Sequence, residues 1–85
     1  MAASREEVFE QVKGVLTEQL GVEEDQITEE ASFQEDLDAD SLDLVELVMG
    51  LEERFDVTIP EEDLEGVATV GQAVDLVLSK ANGTA

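Results

Sequence analysis

Apolar side chains recur every three to four residues in three separate stretches of this chain. In the first stretch, residues 4–7 have the form of a capping box. The apolar positions that follow it fall on one face of a helix: Val8, Phe9, Val12, Val15, Leu16 and Leu20. Gly21 then suits the position just after the last turn, where a left-handed residue commonly ends a helix. This pattern predicts a first helix that begins after Ser4 and ends before Gly21.

Residues 22–39 show no sustained helical period. Isolated apolar residues occur along them, at Val22, Ile27, Phe33 and Leu37. A connection of this length is unusual inside a small domain, so we expect either that these anchors pin it to the core or that the loop performs a function. Within it, the S-F-Q-E run at residues 32–35 has the form of a cap and favours one short turn.

A second helix is predicted for Ser41–Phe55, with Asp40 as its N-cap. Gly50 inside this helix costs about 1 kcal/mol relative to alanine, so we expect a packing reason or local looseness there. Residues 57–60, V-T-I-P, are expected to be extended because the residue before proline avoids the helical region. The E-E-D-L run at residues 61–64 predicts a short third helix, with acids where the helix dipole favours them.

The fourth predicted helix begins at residues 69–72, T-V-G-Q, which again have the capping-box form. Its apolar face comprises Val70, Ala73, Val74, Val77 and Leu78. The predicted fold is therefore all-α: a small four-helix bundle of three longer helices and one short helix, with a long loop between helices 1 and 2. We expect one domain over residues 1–85, with a core of about 4–80 and a frayed tail at 81–85.

The second helix has two apolar faces in projection. One is an ordinary core stripe within an arc of about 100°, formed by Leu44, Leu47, Val48, Leu51 and Phe55. On the other side, apolar residues stand among carboxylates: Leu42, Val45 and Met49 among Asp43, Glu46, Glu52, Glu53 and Asp56. Exposed apolar side chains are common singly, so this side could be only a solvated face. Apolar side chains framed by acids also suit a surface that recognises basic partners.

Charge narrows the classes of partner. Four basic residues against 23 acidic ones give a net charge of −19, which repels phosphate backbones and anionic lipids. We therefore expect no nucleic-acid partner and no stable membrane binding, but rapid attraction to basic patches on other proteins. The first residues lack the apolar segment of a signal peptide and no run reaches membrane-spanning length, so a cytoplasmic location is expected.

The chain has no histidine and no cysteine, which leaves Ser41 few ways of doing chemistry alone. A serine hydrolase needs a base and a nucleophile elbow, and the sequence offers neither. Disulfides and thiolate metal sites are also excluded. Taken alone, Ser41 is most simply a first-turn or N-cap serine. A phosphate esterified there would also lie in the favourable field of a helix N-terminus.

The D-S-L motif at residues 40–42, followed by V-E-L-V-M-G-L-E-E-R-F-D-V-T-I-P at 45–60, resembles the acyl carrier proteins of dissociated, type II fatty acid synthesis. The resemblance extends from about Val8 to Val77. It implies that a phosphopantetheinyl transferase moves 4′-phosphopantetheine from coenzyme A onto Ser41. The thiol of that group would hold acyl chains as thioesters. The chain itself would be a non-catalytic carrier, expected to be a monomer.

The resemblance also implies two sets of site residues. Fatty acid synthesis enzymes with basic docking patches would be recognised by Asp40, Leu42, Asp43, Val45, Glu46, Met49, Glu52, Glu53 and Asp56. The acyl chain would shelter in a cavity lined by Leu44, Leu47, Val48, Leu51, Phe55, Ile59 and Val67. Two positions depart from the common family pattern: Asp38 stands where glycine is frequent, and Leu44 where a smaller or polar residue is frequent. They leave the chain-length preference open.

Two alternatives remain open. A carrier of polyketide or other specialised cargo would share this fold and attachment chemistry. A calcium-binding interaction protein is the more distant alternative, because Asp36, Asp38 and Asp40 fall at the first, third and fifth places of an EF-hand-like loop. Ser41 then occupies the place where glycine is needed, and Leu47 the place of the bidentate glutamate, so the pattern disfavours a dedicated calcium loop. Weak divalent binding to the clustered acids remains compatible with it.

Overall fold

The computed structural model describes residues 4–81 and has the predicted all-α architecture. Its elements are α1 (Arg5–Leu20), a short 3-10 turn (Glu24–Gln26), α2 (Ser41–Phe55), α3 (Glu61–Leu64) and α4 (Val70–Ala81). The three longer helices and the one short helix are thus confirmed. Of the predicted frayed tail, residues 82–85 lie outside the described residues. No helix in the described range is both long and apolar enough to cross a bilayer.

α1 and α4 begin at the predicted residues, and α4 has both bonds of a capping box, whereas α1 has one of the two. Ser4 Oγ accepts the Glu7 N–H at 3.1 Å, and α1 ends at Gly21, whose φ of 73° is left-handed. At the start of α4, Thr69 Oγ1 accepts the Gln72 N–H at 3.3 Å and Gln72 Oε1 accepts the Thr69 N–H at 3.1 Å. These bonds satisfy N–H groups that have no partner within the helix.

The core lies where α1 packs against both α2 and α4. Its fully buried side chains are aliphatic: Leu16, Leu47, Leu51, Val8, Val12, Val70, Val74 and Val77. Gly50 of α2 faces this core, but a Cβ built there would lie 3.6 Å from Val15 Cγ1, an ordinary contact distance. No close approach therefore requires a glycine at position 50.

The long loop is pinned to the core by its apolar residues, as expected. Ile27, Phe33 and Leu37 are buried, and Val22 is half-buried. The predicted turn is present as well, since Ser32 Oγ accepts the Glu35 N–H at 3.2 Å. The loop follows the core surface closely and leaves few of its apolar side chains in water.

Backbone pairing to the α3–α4 connection also holds the loop, and this pairing was not predicted. The Phe33 N–H donates to the Ala68 carbonyl at 3.0 Å, and the Val70 N–H donates to the Ala31 carbonyl at 3.0 Å. One step further, the Gly71 N–H reaches the Glu29 carbonyl at 2.8 Å. This short antiparallel contact joins the two irregular segments of the chain.

An ion-pair cluster joins three elements at the surface. Arg5 at the start of α1 donates to Glu29 in the loop, with Nε at 2.9 Å from Oε1, and also to Asp75 in α4. The hydrogen bonds to Glu29 and Asp75 raise the pKa of Arg5 above its ordinary value. The cluster is exposed to solvent, so we assign it a modest contribution to stability.

Candidate functional site

Ser41 is the first residue of α2 and is exposed. Asp40 caps the helix before it: Asp40 Oδ1 accepts the Asp43 N–H at 3.0 Å, and Asp43 Oδ2 accepts the Asp40 N–H at 3.2 Å. The two carboxylates therefore fix the turn that contains Ser41. Asp40 is thus the N-cap of α2, and Ser41 is a first-turn serine.

The segment before Ser41 is folded back on itself. The Ala39 N–H donates to the Phe33 carbonyl at 2.7 Å, and Asp36 Oδ2 accepts the Ser32 N–H at 2.7 Å. Between them, Asp38 has a φ of 55°, in the left-handed region that favours glycine. This is the position where glycine is frequent in the resembling family, and the backbone conformation gives the physical reason.

An open cleft of about 580 Å³ lies directly beside Ser41. We call it the Ser41 cleft; it is bordered by Ser32, Phe33, Gln34, Ala39, Asp40, Ser41, Leu44, Val45, Glu61, Leu64, Glu65, Val67 and Ala68. Apolar side chains from α2, α3 and the long loop make up much of its lining, together with the acids Asp40, Glu61 and Glu65. Such a lining suits a neutral apolar chain better than an anionic one.

Two residues of the predicted cavity lining border this cleft, Leu44 and Val67. The other five do not: Leu47, Val48, Leu51, Phe55 and Ile59. All of these except the half-buried Phe55 are packed in the core, and Leu47 and Leu51 have no exposed surface. Helical projection identifies the inward face of α2, but it does not show which part of that face is already filled by neighbouring helices. Phe33, Ala39, Leu64 and Ala68 border the cleft as well and were not predicted to do so.

The outer face of α2 separates into two groups of residues. Leu42 and Met49 are 63% and 55% exposed, and they are the large hydrophobic side chains most open to solvent in the described part of the chain. Glu46, Glu53 and Asp56 are exposed near them in sequence. We call these five residues the docking face, after the role proposed for them below. Val45 differs from the expectation, because it is half-buried and borders the Ser41 cleft.

Four acids predicted to recognise partners accept hydrogen bonds within the chain, and one of them is Glu46, which accepts Gln19 Nε2 at 3.3 Å. Asp40 and Asp43 cap α2, as described above. Glu52 is half-buried, and its Oε2 accepts the Ile59 N–H at 2.7 Å. These carboxylates therefore have structural partners, whatever they also do at the surface.

Gln19 of α1 also holds the start of α2 in place, and the sequence did not predict this contact. Its Nε2 donates to the Asp43 carbonyl at 2.9 Å and to Glu46 Oε1 at 3.3 Å. It thereby ties the end of α1 to the first turns of α2, close to Ser41. Gln19 and Asp43 are 24 positions apart, and no local pattern signals such a contact.

The acids of the EF-hand-like run do not converge on a common point. Asp36 accepts a backbone N–H from Ser32, and Asp40 accepts one from Asp43. Across residues 4–81, no group of three or more carboxylates is arranged to hold a metal ion. This geometry does not support the calcium-loop alternative.

Comparison with known proteins agrees with the geometry around Ser41. The family model described as the phosphopantetheine attachment site matches residues 10–77. Among solved structures, the acyl carrier protein of Enterococcus faecalis is similar, with 38% sequence identity and a TM-score of 0.75. The match covers 92% of this chain and 99% of that one. The prosthetic group of this domain is 4′-phosphopantetheine, and the chain belongs to the acyl carrier protein family.

Proposed function

We propose that this chain carries growing fatty acyl chains on a 4′-phosphopantetheine arm attached to Ser41 and presents them to the enzymes of fatty acid synthesis. The observation that carries the proposal is the position of Ser41, exposed at the start of α2 and at the border of a cleft that is lined in part by apolar side chains. When bound, the arm supplies a terminal thiol that forms thioesters. A chain with no cysteine has no other thiol.

The residues around Ser41 prepare it for modification by holding its turn in place. The Asp40–Asp43 cap and the Gln19 contact restrain the first turn of α2. The backbone at Ser41 is therefore held in one conformation. A phosphate on Ser41 would meet the positive end of the helix dipole, while Asp38 and Asp40 would repel it. We therefore assign these acids to recognition of a basic phosphopantetheinyl transferase rather than to binding of the phosphate.

The docking face provides the contact to later enzymes. Exposed carboxylates steer basic partners to it, and Leu42 and Met49 supply apolar area that is desolvated on contact. Successive enzymes must each bind and release the carrier, and a small, electrostatically steered surface suits such brief encounters. We propose that the carrier acts as a monomer in the cytoplasm.

The Ser41 cleft has the character expected of a shelter for the acyl chain. Phe33, Leu44, Leu64 and Val67 line it with apolar side chains next to the attachment point. A saturated chain would gain by leaving water there. A carboxylated acyl group would meet Glu61 and Glu65 and would be disfavoured.

Loading of Ser41 is tested by intact mass after incubation with coenzyme A and a broad-specificity phosphopantetheinyl transferase. We expect one added phosphopantetheine in the wild-type chain and none in Ser41→Ala. Ser32→Ala is the matched control, because Ser32 borders the same cleft and its loss should leave loading intact. Absence of any mass gain in the wild type, with the transferase active on another carrier, would refute the attachment proposal.

The cargo is tested separately. Fatty acid synthesis is favoured over polyketide or other specialised cargo by the V-E-L-V-M-G-L-E-E-R-F-D run at residues 45–56. The acylated chain should be extended with higher kcat/KM by a fatty acid ketosynthase than by a polyketide ketosynthase. The reverse order would assign the chain to the specialised pathway and would leave the attachment chemistry unchanged.

A further inference from the structure

The α2–α3 connection is bonded to α2 by one carboxylate. Glu52 Oε2 accepts the Ile59 N–H at 2.7 Å, across seven positions of the chain. Ile59 is buried, so its N–H is removed from bulk water and needs an acceptor within the protein. Glu52 supplies that acceptor, and a charged acceptor makes the hydrogen bond stronger than a neutral one would.

Helix α3 has little stability of its own. It comprises four residues, Glu61–Leu64, and its N-cap Pro60 provides no side-chain bond. Isolated helices of this length do not persist in water. Its other side-chain anchors are the buried Leu64 and an ion pair between Asp63 and Lys80 at 3.2 Å, which is partly exposed and therefore weak.

The same short helix forms one wall of the Ser41 cleft. Glu61 and Leu64 border the cleft, and Val67 borders it just beyond α3. Glu61 follows the tethered Ile59 by only two positions. The bond from Glu52 therefore fixes the chain directly before the wall, and a shift of this connection would carry the wall with it.

We propose that Glu52 is a positioning residue that holds α3 against the Ser41 cleft and so keeps a carried acyl chain sheltered. The inference about the acyl chain rests on the proposed function, whereas the tether itself does not. The carboxylate of Glu52 is directed to a backbone N–H, so its main role differs from the partner contact expected from the sequence. Glu53, the next residue, is exposed and provides a comparison on the same helix.

The tether is tested in the unmodified protein by amide hydrogen exchange of Ile59, measured by NMR. Glu52→Ala removes the acceptor and should speed exchange at Ile59 at least tenfold. Glu52→Gln keeps an acceptor oxygen at the same reach and should restore most of the protection, and Glu53→Ala should exchange like the wild type. Unchanged protection of Ile59 in Glu52→Ala would overturn the proposal. Should Glu52→Ala fail to fold, Glu52→Met, which keeps the aliphatic stem, replaces it with the same expectation.

The effect on the cleft is tested with the octanoyl-loaded protein by cleavage of its thioester with hydroxylamine. Release should be several-fold faster in Glu52→Ala, and within twofold of the wild type in Glu52→Gln and Glu53→Ala. Glu52→Gln and Glu53→Ala each remove one negative charge, as Glu52→Ala does. A wild-type cleavage rate in both would show that loss of the hydrogen bond to Ile59, and not loss of charge, speeds cleavage in Glu52→Ala. Equal cleavage rates in Glu52→Ala and the wild type would overturn the role at the cleft. A failure to load Ser41 would instead refute the proposed function, and the Ile59 exchange would still decide on the tether.

Discussion

Asp40 and Asp43 cap each other across the turn that contains Ser41. Each carboxylate accepts the backbone N–H of the other residue, at 3.0 Å and 3.2 Å. Both residues were expected to recognise partners, and in the structure their carboxylates cap helix α2. The carboxylates nearest the proposed attachment point thus define its backbone geometry before any enzyme binds.

We expect Asp40→Ala to lower the free energy of unfolding by about 1 kcal/mol, because it leaves an N–H of the first turn of α2 without its acceptor. Asp40→Asn removes the same charge but keeps a capping oxygen, so it should lower the free energy of unfolding by only about a few tenths of a kcal/mol. Urea denaturation of the two variants makes the comparison. Equal loss in both would show that charge, and not the cap, stabilises this turn.

Alanine substitutions at the half-buried Gly50 and the buried Gly71 should change the stability of the protein in opposite directions. Gly50→Ala should stabilise the protein by up to about 1 kcal/mol, because helix propensity improves and the methyl meets Val15 at an ordinary distance. In Gly71→Ala the new Cβ would lie 2.9 Å from the Glu29 carbonyl oxygen, so the paired segments must separate. A loss of about 1–3 kcal/mol is expected. Thermal unfolding followed by circular dichroism measures both, and a stabilised Gly71→Ala would contradict the described pairing.

Replacement of Asp38 should reveal the cost of its left-handed conformation. Asp38→Gly removes a steric penalty on the order of 1 kcal/mol and should raise the melting temperature. Asp38→Asn makes the same change of charge but keeps the side chain, so it isolates the electrostatic part. Equal melting temperatures of Asp38→Gly and Asp38→Asn would show that the left-handed backbone conformation costs little stability.

Added salt should raise the melting temperature of the wild-type protein. The net charge of −19 produces self-repulsion, which ions screen over about 10 Å at 0.1 M. The attractive pairs that salt also weakens are exposed or partly exposed and contribute little, among them the Arg5 cluster. Melting curves from low salt to about 0.3 M sodium chloride test this. A flat or falling melting temperature would mean that attractive pairs outweigh the repulsion.

Truncation of the docking face should weaken partner binding without loss of fold. We expect Leu42→Ala to lower kcat/KM for an acyl-transferring partner enzyme about tenfold, mainly through KM, because an exposed apolar anchor is removed. Glu53→Lys should have a comparable effect that fades with salt. Glu6→Lys is its matched control, since Glu6 is an exposed acid on α1 that lies outside the docking face. Equal losses in Glu6→Lys and Glu53→Lys would indicate a response to net charge alone.

Local patterns in the sequence predicted the helices well because their caps and apolar periods are contained within a few residues. Asp40 and Thr69 were each recognisable as helix starts from their immediate neighbours. The contacts that were missed join positions far apart in the chain, such as Gln19 with Asp43 and Phe33 with Ala68. The role of Glu52 was missed for a different reason: its partner is a backbone N–H, which every residue except proline carries.

The long helices and the Ser41 cleft use largely separate parts of the molecule. The core forms where α1 meets α2 and α4, whereas much of the cleft border comes from the loop and from the segment around α3. Substitutions at the exposed Gln34 or the half-buried Val67 would therefore change the proposed space for cargo with little effect on the helical core. Directed evolution toward longer or branched cargo would best vary the exposed and half-buried positions of residues 33–39 and 61–68 and keep the buried Phe33, Leu37, Ala39 and Leu64.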